Sequence, residues 1–168
     1  MTAPKLKTRD GSDLYDRDFY TWTQDQAERL RALAGQDQID IAHLAEEVAD
    51  LGRSELSKTV EHLTLVLTHL IKAVASEATE PQRHWRQETK AHQVRARRTF
   101  SPGMRQHIDM NELWRDALGI ANDGLRDYGE PPVMGEVPCP FALDALLDRA
   151  FDIDTAQDRV RRALEQNR

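Results

Sequence analysis

This chain contains a single cysteine, Cys139, and few aromatic residues, 6% of the total. One cysteine excludes an internal disulfide, and the expected compartment is reducing, the cytoplasm. Long apolar runs are missing as well. The most apolar stretch is interrupted by Lys58, Glu61, His62, His69, Lys72 and Glu77, well short of the roughly 20 apolar residues a membrane span requires. Met1 to Asp13 has basic residues but no apolar h-region, so the expectation is a flexible tail and not a secretory signal. Strand-like alternation is nearly absent. So are a Walker loop, a dinucleotide glycine fingerprint, His-Glu-x-x-His and paired Cys-x-x-Cys, which removes the usual sequence warrants for nucleotide, zinc-protease and redox chemistry. A formal net charge of -6 argues against bulk attraction to nucleic acid or anionic lipid.

What is present is helical spacing. Leu56, Val60, Leu63, Leu67, Leu70 and Val74 recur at steps of four and three, with Leu65, Val66 and Ile71 beside them, which predicts a helix apolar on most sides and buried at the centre of a bundle. Asp40 is placed to cap a preceding helix with Ile41, Leu44, Ala45, Val48 and Leu51 inward, and Gly52 allows a kink or break that Ser54 could re-cap. Earlier, Tyr15, Phe19, Trp22, Leu30 and Leu33 keep helical register up to a stop at Gly35. Later, Pro81 opens a helix whose inner face is Trp85, Thr89, His92, Ala96 and Phe100. Asp109 and Glu112 have capping-box spacing ahead of Leu113, Trp114, Ala117, Leu118, Ala121, Leu125 and Tyr128. Four prolines and two glycines between Gly129 and Pro140 predict a loop. A short helix over 141–151 and a tail helix over about 154–166 complete the chain. The expected architecture is all-α, a single helical bundle over 14–151 with a long, mostly buried central helix, a tail over 1–13 and a C-terminal helical extension over 152–168.

Several segments stand in the order of a bacterial family. Tyr-Asp-Arg-Asp-Phe-Tyr-Thr-Trp at 15–22, His-Leu-Ala-Glu-Glu-Val-Ala-Asp-Leu-Gly-Arg-Ser-Glu at 43–55, His-Leu-Ile-Lys at 69–72, Trp-Arg at 85–86, Ser-Pro at 101–102, and Cys-Pro-Phe with Leu-Leu-Asp within 139–148 resemble the domain of unknown function family 29. The departures are Ala73, where that family has an aromatic, and a longer tail beyond Phe151. The resemblance implies an all-α bacterial protein and carries no activity, cofactor or partner.

The residues that could carry chemistry each have a structural explanation. His43, Glu46, Glu47, His62 and His69 are the metal candidates, because inward Glu and His on facing helices build metal sites in bundles. The Glu-x-x-His pattern of such sites is missing, so His62 and His69 read as core-edge histidines and no metal or cofactor is expected. A basic segment, Arg83 to Arg105, offers Arg86, Arg97 and Arg98 to a phosphate backbone, yet pairing with the acidic residues Asp40 to Glu55 accounts for it, and nucleic acid is not expected as a partner. Arg86 and His92 have the spacing of a helical nuclease pair, with His92 reading as packed. Cys139, between two prolines, reads as a small apolar anchor. Taken together the chain reads as a non-catalytic interaction or assembly module, self-associating through Val160, Ala163 and Leu164 of the tail helix. The alternative is a metal-dependent or nuclease-like helical enzyme.

Overall fold

The computed structural model describes residues 11–33 and 39–166. Gly35, the expected stop of an early helix, and residues 1–10 of the expected tail lie outside that set. Every regular element among the described residues is helical: α1 (Gly11–Arg17), α2 (Phe19–Ala32), α3 (Ile41–Ala75), α4 (Gln82–Thr99), a 3-10 turn (Pro102–His107), α5 (Met110–Asp127), α6 (Leu143–Leu147) and α7 (Ile153–Glu165). None of these helices is long and apolar enough to cross a membrane. The chain divides into two compact units, Met1–Leu56 with Phe100–Gln106, and Ser57–Thr99 with His107–Arg168.

In the first unit, Asp18 caps α2 by accepting from the Thr21 N–H at 3.1 Å, and its other carboxylate oxygen accepts from the Gly103 N–H at 2.8 Å. One side chain thus fixes both a helix start and the 3-10 turn. The buried face of α2 is Tyr20, Thr23 and Ala27, one position around from the expected stripe. Tyr15 and Leu33 are exposed. Phe19 and Trp22 are half-buried and stack on each other, with Tyr15 edge-on to both, an aromatic patch that holds itself together at the surface.

The first turns of α3 bury Ile41 and, beyond it, the small residues Ala45 and Ala49, while Leu44 and Leu51 face outward. Small residues are inside because the helices run close. A methyl group on Gly52 would overlap the Thr23 hydroxyl, which donates to the Tyr20 carbonyl at 2.7 Å. Of the kink or break that Gly52 allows, there is no break: α3 continues through it without interruption to Ala75, and the glycine serves a close approach to Thr23. Replacing an interior helix glycine with alanine ordinarily gains about 1 kcal/mol of helix propensity. Overpacking costs roughly 1–3 kcal/mol. Since Thr23 is fully buried and β-branched, Gly52→Ala should lose about 1 kcal/mol net in urea unfolding, and less in a Thr23→Ala background. A net gain would show that the contact is not tight.

The second unit holds the larger core. Leu63, Val66, Leu67, Leu70 and Ile71 of α3 are fully buried, whereas Leu56, Val60 and Val74 at the ends of the expected stripe are only half-buried. Trp85, Thr89, Gln93 and Ala96 form the buried face of α4. Asp109 caps α5, accepting from the Asn111 and Glu112 N–H groups, and Leu113, Trp114, Ala117, Ala121 and Leu125 point inward.

The proline-rich loop turns at Gly129 and Gly135, both at positive φ. It is tied down by the Trp114 indole, which donates to the Val137 carbonyl at 2.7 Å, and by Asn122, which bonds both backbone groups of Val133. Gln93 donates to the Leu146 and Asp148 carbonyls at 3.0 and 2.8 Å and so closes the end of α6, which is shorter than the expected 141–151. The apolar side of α7 does not await a partner. Ile153, Ala156, Val160 and Ala163 are buried, and α7 packs against α4. Of the seam expected to drive self-association, Val160 and Ala163 are buried inside the chain and Leu164 is half-buried.

Candidate metal centre

The second half of α3 and α4 form an antiparallel hairpin within the second unit. Its register is fixed at one end by Thr59 donating to Thr99 at 2.8 Å, and at the other by Gln82 donating to the Ser76 carbonyl at 3.4 Å. That register sets two rows of side chains face to face. On α4, His84, Glu88 and His92 follow one another at intervals of four, so they lie along one side of the helix. On α3, His62 and His69 are seven apart, two turns, on the side that meets them.

His69, Glu88 and His92 come together with their donor atoms all within 4.8 Å of one another. His92 Nε2 lies 3.3 Å from a Glu88 carboxylate oxygen, and His92 Nδ1 lies 3.1 Å from His62 Nδ1. The His69 ring stacks on that of His92 with centroids 5.9 Å apart, and His84 stands edge-on to His69 at 6.5 Å. His69 Nδ1 is buried without a hydrogen-bond partner. A buried polar atom left unpaired costs free energy, so its persistence here calls for a ligand or another use.

Burial, then the neighbouring His92 and Lys72, push the His69 pKa down to about 4. His92 is lowered as well, first by burial and then by His62. Both rings are consequently neutral at neutral pH, the form in which imidazole ligates metals. Tetrahedral zinc, with bonds of about 2.0–2.2 Å, places its donors about 3.4 Å apart. Holding such an ion requires the widest donor separation, up to 4.8 Å, to contract by about 1.4 Å.

Of the residues singled out in the sequence, the fold gathers His62 and His69 about His92 and leaves the other metal candidates, His43, Glu46 and Glu47, elsewhere. His43 is largely exposed and pairs with Asp40 at the start of α3, and Glu46 and Glu47 are exposed in the first unit. Asp50 pairs with Arg53 of its own helix. Arg86 forms a two-pronged ion pair with Asp154 of α7, its Nη2 2.8 Å from the carboxylate, while His92 points into the histidine cluster. The two supposed nuclease residues thus face different neighbours. Arg97 is half-buried with an unpaired Nε, and Arg98 is exposed. Burial raises the Cys139 thiol, which donates weakly to the Phe141 carbonyl at 3.4 Å, the opposite of nucleophile activation.

Sequence reasoning missed Glu88 as a member of the cluster and His84 as its neighbour, and read His92 as packed or as half of a nuclease pair. The Glu88-x-x-x-His92 spacing was visible, but its meaning depends on which α3 residues stand opposite, and that register is a tertiary fact.

A family model described as "Domain of unknown function DUF29" matches residues 14–152. Among solved structures the chain is similar to an alpha-helical protein of unknown function from Rhodospirillum rubrum ATCC 11170, at 32% identity and a TM-score of 0.80, over 86% of this chain and 96% of that one. No curated protein matches.

Proposed function

The chain belongs to the family described as Domain of unknown function DUF29, which brings no activity with it, and we propose from its own side chains that it binds a divalent transition metal at His69, Glu88 and His92. The observation that carries this reading is the convergence of one donor atom from each of two neutral imidazoles and a carboxylate on facing helices, beside which His69 also holds a buried, unpartnered Nδ1. Two nitrogens and one oxygen suit zinc, iron or manganese better than calcium or magnesium, which prefer all-oxygen shells. An ion there joins α3 to α4 and adds its binding free energy to the hairpin. The unpaired Cys139 supports a reducing compartment such as the cytoplasm.

Isothermal titration of the chelator-stripped protein with Zn²⁺ tests the reading. One ion per chain is expected, with affinity reduced at least about 100-fold in His69→Ala and in His92→Ala and unchanged in His43→Ala. Equal binding by wild type and His92→Ala would refute it.

A protein-interaction module is the second reading. It retains one observation, the outward Leu44 and Leu51 on α3, 45% and 54% exposed beside Glu47 and Asp50. Sedimentation velocity of the wild type against Leu44→Ser with Leu51→Ser examines self-association through that stripe, and identical monomers would leave that form of the reading without support.

A further inference from the structure

Building on the metal reading above, we propose that His62 is not a ligand but the residue that sets the tautomer of His92. The ion is then held by three protein groups, with a coordination position left for water or a small anion. The argument starts from the 3.1 Å separation of His62 Nδ1 and His92 Nδ1. Two imidazole nitrogens hydrogen-bond only when one carries the proton and the other presents a lone pair. On the other side of the same ring, His92 Nε2 faces Glu88 at 3.3 Å.

Without metal, both contacts are satisfied when His62 Nδ1–H donates to His92 Nδ1 and His92 Nε2–H donates to Glu88. A metal on His92 Nε2 displaces that proton. His92 then carries its proton on Nδ1 and donates it to His62, whose own proton moves to Nε2. Each ring remains neutral and the proton count is unchanged. His62 Nδ1 is engaged in either state, and His62 is not among the three residues whose donors converge. Hydrogen bonds of this kind orient ligating histidines, and losing one typically weakens metal affinity about 10–100-fold. Three protein ligands on a four-coordinate ion leave one position for an exogenous group.

Co²⁺ titration followed by visible absorption separates the possibilities. In His62→Ala the affinity should fall about 10–100-fold while the band shape is retained. His62→Asn, whose Oδ1 takes the place of Nδ1 as acceptor, should recover most of the loss. Azide added to the wild-type Co²⁺ complex should shift its bands, because a position is open. Unchanged affinity in His62→Ala, failure of Asn to improve on Ala, a band shape in His62→Ala reporting a lost ligand, or a spectrum indifferent to azide would each overturn the proposal while leaving the metal reading intact. A wild-type protein that takes up no Co²⁺ would overturn both.

Discussion

Leu67→Ala should lower the free energy of unfolding by about 2–5 kcal/mol. Leu67 is fully buried in the second half of α3, and Leu63, Leu70 and Ile71 around it are fully buried too, so the space its side chain vacates has no route to solvent. The loss therefore combines the transfer term with a cavity that the surrounding side chains close only in part. Val74→Ala, at a half-buried position of the same stripe, should cost clearly less. Urea unfolding followed by tryptophan fluorescence is suited to the comparison, because Trp85 and Trp114 are buried in the same unit as Leu67. A cost under about 1 kcal/mol would contradict the packing described for this helix.

Metal-free protein should lose stability as the pH falls from about 6.5 to about 4, through His69. Its folded-state pKa is about 4 against an ordinary 6.5, so between those values the unfolded chain holds a proton that the folded chain refuses. Stability then rises with pH across the window, is complete above 6.5, and is lost as pH falls toward 4. The shift alone corresponds to about 3 kcal/mol, and partial solvent contact of the ring reduces this to about 2 kcal/mol. His92, also lowered, acts in the same direction. Carboxylates titrate in the lower half of this range, so the quantity to measure is the difference between wild type and His69→Gln at each pH. The variant should be less sensitive to acid than the wild type, and parallel curves would mean that His69 is freely protonated in the folded state.

Much of the fold was legible because helical periodicity is a local signal. The α3 stripe, the caps at Asp40 and Asp109, the loop between Gly129 and Pro140 and the tail helix each announce themselves within a few residues. The failures occur where the neighbour decides. Leu44 and Leu51 satisfy a helical stripe, yet Ala45, Ala49 and Gly52 are the buried positions because α2 lies too close for larger side chains. Gly52 carries the same letter whether it ends a helix or admits a hydroxyl from the next one. Val160 and Ala163 read as unpartnered only because nothing local tells that the folded chain buries them.

The candidate site follows the same rule. His62 and His69 stand out in the sequence, but the carboxylates that pair with them in a sequence reading, Glu46 and Glu47 on the first turns of α3, are not the one that meets them, Glu88. Glu88 lies 19 positions beyond His69 and meets it only when α4 turns back along α3. In a segment with so many arginines, a lone glutamate reads as charge balance until that hairpin register is known.

Anomalous diffraction at the zinc edge, from crystals of the protein equilibrated with one equivalent of Zn²⁺, tests the metal centre most directly. The account predicts one strong peak between α3 and α4, within bonding distance, about 2.0–2.2 Å, of His69, Glu88 and His92, with His62 outside that shell. Well-ordered crystals with no peak among those three residues, or with zinc only at the exposed His43 and Asp40 pair, would contradict it.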